Sequence, residues 1–129
     1  MGFILWHVGR IEDLHTHDTL RRGEQLWVTQ KWYEKLGLPR DDNGFGYTPE
    51  QVGQFPAPPL ESILDYMASV RRETLDYLHT LTEAQLDERP FPDQPERQVG
   101  PILVRVQNHE CHHQGQIDYL KGLWKPSEK

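Results

Sequence analysis

Between residues 60 and 78, Leu60, Leu64, Met67, Val70, Thr74 and Leu78 recur at spacings of three and four, and Ile63 and Leu75 widen the stripe. That period belongs to an α-helix, and the stripe predicts one over residues 59–81. An amphipathic helix of this length cannot bury its apolar face alone and must pack on other elements. No segment alternates apolar and polar residues as a half-buried strand does, and no internal repeat is visible. The expected fold class is therefore all-α, an antiparallel helical bundle around one core, with residues 1–129 as a single domain.

The other elements follow from similar signals. A first helix is expected from Gly2 to Asp18, with Phe3, His7, Ile11 and Leu14 on one face. A second runs from Gly23 to Leu36 and ends at Gly37, an expected left-handed cap with Pro39 beyond it. Residues 38–58 read as a long loop rich in turn formers, in which Thr48-Pro49-Glu50 starts a helical turn. Its aromatic residues Phe45, Tyr47 and Phe55 either line a pocket or cover the bundle. Thr82-Glu83-Ala84-Gln85 is a capping box before a short helix. Pro90, Pro92 and Pro95 keep residues 89–98 irregular. The last helix is expected from Pro101 to Lys121, with Ile102, Val106, His109, His113, Gln116, Ile117 and Leu120 on one stripe.

Charge and composition exclude several functions. A net charge of -6 and no cluster of basic residues argue against nucleic-acid binding. No run approaches the length of a membrane span. The apolar start, Met1 to His7, has no basic n-region and no cleavage site, so it is not read as a signal peptide. Cys111 is the only cysteine. It cannot form an internal disulfide, so a cytoplasmic location is expected.

The histidines carry the chemical signal. His109 and His113 are four apart, which sets their Cβ atoms about 5–6 Å apart on one helix face. Both fall on an apolar stripe, where a polar ring needs a partner. His7 does the same on the first helix. Three neutral imidazoles facing a bundle interior suit Zn, Ni, Fe or Cu and disfavour Mg or Ca. Three protein ligands leave a coordination position open. The alternative is three core histidines bonded to neighbouring carbonyls, with no metal at all.

The remaining candidates read as structural. His15 and His17, two apart, are expected at the surface, and His112 in solvent or at a subunit contact. His79 suits a helix C-terminus. Cys111 is expected to be a buried, inert thiol. Gly115, costly in mid-helix, calls for close packing or access to a pocket. Glu12, Asp13 and Glu110 flank the histidines as supporting or surface acids, and no general base can be named.

The segment from Asn108 through His109, Glu110, Cys111, His112, His113, Gln114 and Gly115 to Gln116 resembles the last-helix signature of the DinB/YfiT-like proteins: histidine, three residues, then histidine-any-glycine-glutamine. Residues 5–13 resemble that family's other metal helix, and residues 32–39 with Gly44-Phe45-Gly46 resemble one of its branches. The resemblance covers nearly the whole chain. It implies a four-helix bundle with an unusual connection and one metal held by His7, His109 and His113. It also implies a cytoplasmic, often dimeric bacterial protein. Relatives include thiol S-transferases, a mycothiol-dependent maleylpyruvate isomerase and proteins classed as metal-dependent hydrolases. Family members usually carry a helix before the one with His7, and this chain begins at that helix. An uncovered bundle face normally marks an interface, so a homodimer is expected.

These readings converge on a metal-dependent transferase or hydrolase. Its substrate would be a small molecule, with a low-molecular-weight thiol as a possible co-substrate. The rival is a non-catalytic metal- or ligand-binding module with a structural ion, which a fourth protein ligand would favour.

Overall fold

The computed structural model describes residues 1–124. Its elements are α1 (Gly2–Asp13), α2 (Leu26–Thr29), α3 (Trp32–Leu36), α4 (Pro49–Gly53), α5 (Leu60–Thr80) and α6 (Val99–Leu123), with a 3₁₀ turn at Ala84–Asp87. No strand occurs among the described residues. The fold is all-α.

Three long helices form the frame, and α1 packs on both α5 and α6. Gly2 lies against Ile63 and Gly9 against Tyr66, while Glu12 meets Arg71 and Thr16 meets Thr74. Residue numbers rise together, so α1 and α5 run parallel. His7 meets His109 and His113, whereas Thr16 shares a groove with Leu103 and Val106, so α6 runs against them. Parallel neighbours need a connection that travels back the full helix length. The segment between α1 and α5 supplies it and carries α2, α3 and α4.

That segment is where the core sits. Trp6, Leu26, Trp27, Leu36, Leu38, Ile63, Tyr66 and Val70 form one buried cluster. The Trp27 ring stands 6.1 Å from Trp6 and 5.2 Å from Tyr66. Fully burying one such large apolar side chain contributes roughly 1.5–3 kcal/mol, so the aromatic residues dominate a core that is otherwise small.

Several local expectations meet the structure directly. Gly37 is left-handed (φ 64°). Thr48 and Gln51 form a reciprocal capping box with Pro49 at the first helical position. Thr82 and Gln85 bond each other's backbone as anticipated.

Others change. The first helix does not stop near Asp18 but widens into a π-helical stretch at Leu14–Leu20, where the Arg21 N–H reaches back to the Thr16 carbonyl. The expected second helix is two short ones, broken at left-handed Lys31 (φ 55°). The first of them, α2, buries Leu26 and Trp27, whose N–H groups are capped by the Asp13 carboxylate at 2.9 and 2.8 Å. The last helix starts earlier, at Val99, with Pro101 in its first turn where no backbone donor is missed. On α5 the buried centre is Ile63, Tyr66, Val70 and Thr74. Much of the predicted stripe lies to one side of it, with Leu60, Leu64 and Leu78 exposed.

Candidate metal centre

His7 on α1 is buried, with 6% of its surface exposed. Its Nδ1–H donates to the Asn43 carbonyl at 2.5 Å. A carbonyl can only accept, so the bond fixes the tautomer and leaves the lone pair on Nε2. On α6, His113 Nδ1–H donates to Gln116 Oε1 at 2.6 Å and leaves its Nε2 in the same state. Between them stands His109, whose Nε2 is 3.0 Å from His7 Nε2 and 3.1 Å from His113 Nε2.

Protons alone satisfy this arrangement poorly. Two lone pairs point at one nitrogen, which has at most one hydrogen to share. An ion at about 2.0–2.1 Å from each imidazole fits a set this compact. The three ligand atoms lie within 4.8 Å of one another, and among the described residues no cysteine or carboxylate joins them. Burial, with His113 and His7 nearby, lowers the His109 pKa to about 4. Burial also lowers that of His7, against the opposing pull of the Asn43 carbonyl. Both rings are thus held in the neutral form a metal needs.

The loop that orients His7 is itself clamped. Arg10 Nε donates to the Asp42 carbonyl at 3.1 Å, and Trp27 Nε1 to that of Arg40 at 2.9 Å. The Arg10 guanidinium lies 4.5 Å over the Trp27 ring and donates to Gln25. Asp13, fully buried, takes the Tyr66 hydroxyl at 2.8 Å, stands 2.8 Å from His17 Nδ1 and faces Arg10 at 3.7 Å. Gly44 follows at φ 79°. A Cβ there would stand 2.9 Å from both Phe3 and Trp6 and 3.2 Å from His7 Nδ1.

Sequence spacing missed these supports for different reasons. Asn43 acts through its backbone, which carries no residue signature. The Asp13–His17 pair was visible as an i, i+4 spacing, yet His17 was expected at the surface and is buried. The π-helical stretch turns Thr16 and His17 inward together. His15 is half-buried, with Nδ1–H donating to the Ile11 carbonyl at 2.9 Å. His112 and His79 are exposed, and Cys111 is exposed where a buried thiol was expected. Gly115 serves no close packing, since a Cβ there would meet open space.

The flanking acids serve the frame. Arg71 on α5 bonds Glu12 at 2.9 and 2.8 Å and Glu110 at 2.8 Å, joining all three long helices. Burial raises the Glu12 carboxyl, but the Arg71 bonds outweigh it and hold its pKa below the usual range. Glu110 is pushed up by burial and by Glu12 beside it.

A cleft of about 540 Å³ opens onto His109, lined also by Ile11, Leu14, His15, Phe45 and Arg105. Tyr47 and Phe55 instead pack on Phe3 and Trp6. The aromatic loop therefore does both things expected of it, covering the bundle and walling a pocket.

The sequence profile of the DinB superfamily matches residues 1–117. A crystal structure of a conserved protein from Enterococcus faecalis superposes with a TM-score of 0.80 at 27% identity, covering 92% of this chain and 71% of that one. No curated protein matches the chain.

Proposed function

Because the chain belongs to the DinB superfamily and gathers His7, His109 and His113 around one point, we propose that it is a metal-dependent enzyme acting on a small molecule. The ion is a divalent transition metal, Zn, Ni or Fe, held by the three Nε2 atoms. Once bound, it supplies Lewis acidity, by which a thiol, water or carbonyl is activated. The reaction class is S-transfer with a low-molecular-weight thiol, or hydrolysis.

The chain's own residues do the rest. Asn43 and Gln116 hold two ligand rings in the metal-binding tautomer. Ile11, Leu14 and Phe45 give the cleft an apolar wall. With three ligands, a coordination position stays open toward a substrate. The observation that carries this reading is the convergence of three Nε2 atoms beside an open cleft, which a structural ion closed by four ligands does not need.

The test is metal content by plasma mass spectrometry on untagged protein. We expect about one ion per chain in wild type and far less in His7→Ala and His113→Ala. A wild type that stays metal-free after reconstitution with Zn, Ni and Fe would end the enzyme reading.

We also propose a homodimer. Leu64, Leu75 and Leu78 on α5 and Val104 on α6 are exposed along one side of the bundle, over a groove that runs between these helices. No helix among the described residues is long and apolar enough to cross a membrane. That fits the cytoplasmic setting we propose, as does the single free cysteine.

A further inference from the structure

The chain carries 20 acidic residues and a net charge of -6, yet none of those acids lines the cleft beside His109. Its one fixed charge is Arg105, a turn before His109 on α6. Arg105 also borders a second hollow of about 460 Å³, with Asn108 and His112 and again no acid. The arginines at 10, 21, 40 and 71 sit within 4.0 Å of a carboxylate; among the described residues those at 22, 72, 89, 97 and 105 do not, and of these five Arg105 is the one on the wall of this cleft. Arg105 makes no such pair and no hydrogen bond among the described residues. A guanidinium left free where acids are plentiful, on the wall of a cleft, is set to receive a carboxylate from outside the protein.

Ile11, Leu14 and Phe45 make the rest of the cleft mostly apolar, with His15, Asn43 and His109 as its other polar residues. Ile11 and Leu14 form its floor on the α1 side, and Phe45 stands over it with 84% of its surface exposed. That exposure is built in. Gly44 and Gly46 flank Phe45 with φ of 79° and 72°, and its N–H is tied to Asn43 Oδ1 at 2.9 Å. The loop thus holds an apolar ring out in solvent instead of letting it fold onto Trp6 as Phe55 does. Apolar walls with a few well-placed polar groups are the usual make-up of a small-molecule site.

We infer that this cleft takes a small carboxylate with an apolar body. The carboxylate sits on Arg105, the body lies against Ile11, Leu14 and Phe45, and the reacting end meets the three imidazoles. His15, with Nδ1 engaged by Ile11, offers Nε2 to a polar hydrogen of the ligand. The position of the reacting end rests on the metal reading above; the anion subsite does not.

The experiment is calorimetric titration of phenylacetate and hexanoate against their neutral amides, phenylacetamide and hexanamide. It is run on zinc-reconstituted and on chelator-treated protein, for wild type, Arg105→Ala and Arg105→Lys. Metal content is measured separately in each sample. A charge-assisted hydrogen bond from the exposed Arg105 guanidinium predicts about tenfold tighter binding of acid than amide by wild type. The preference should vanish in Arg105→Ala, return in part in Arg105→Lys, and persist without metal. Equal binding of acid and amide, binding of neither, or a preference that survives Arg105→Ala would overturn the proposal. A sample that keeps the preference but never holds zinc would remove the metal reading and leave the anion subsite standing.

Discussion

Gly44 shows how little room the centre leaves at the level of single atoms. Its left-handed backbone disfavours any side chain, and the space a Cβ would need is already taken by Phe3, Trp6 and His7. Gly44→Ala should therefore lower stability by about 2 kcal/mol from the backbone alone. It should also weaken metal binding by shifting Asn43 off His7, read by thermal melting and by competitive zinc titration. A variant that melts like wild type and binds zinc equally would show that the loop yields without cost. The clustering of His7, His109 and His113 was legible in the sequence because a side chain on a helix has a period that betrays its face. Asn43 and Gly44 were not, since one acts through its carbonyl and the other through an absent side chain. Arg105 carried no signal either, because its meaning lies in the carboxylates it lacks.

At the scale of elements, the long helices at 60–80 and 99–123 were readable from spacing and caps, but the joints between elements were not. One buried group, Asp13, decides several of them. It caps α2, anchors Tyr66 and stands against His17 and Arg10, which in turn holds the loop bearing Asn43. Removing one partner from such a network leaves its donors buried and unpaired. Asp13→Ala should cost about 3 kcal/mol or more in chemical denaturation, with Asp13→Asn falling between. A loss under about 1 kcal/mol, the scale of an isolated cap, would mean that the carboxylate does no more than start α2. The late start of the expected second helix has the same origin: tertiary capping by a residue thirteen positions earlier sets its first turn at Leu26 rather than Gly23.

For the whole molecule, the sequence told of amphipathic faces without saying which would be covered. Packing of α1 on α5 and α6 leaves the outer sides of α5 and α6 with exposed leucines and a valine. Light scattering at micromolar concentration should return about twice the chain's 15.2 kDa, and charge introduced as Leu75→Glu with Val104→Glu should halve it. A monomeric mass in wild type would remove the dimer. The order in which the chain closes matters as well. His7 and His109 stand 102 positions apart, and α1 must be bridged to its parallel neighbour through a long return before α6 can arrive. Contacts so distant along the chain are slow to form. A chain still emerging from the ribosome therefore holds His7 alone for most of its synthesis. On the metal reading proposed above, an ion would be captured late, by a frame already assembled, and its removal should leave that frame folded for refilling.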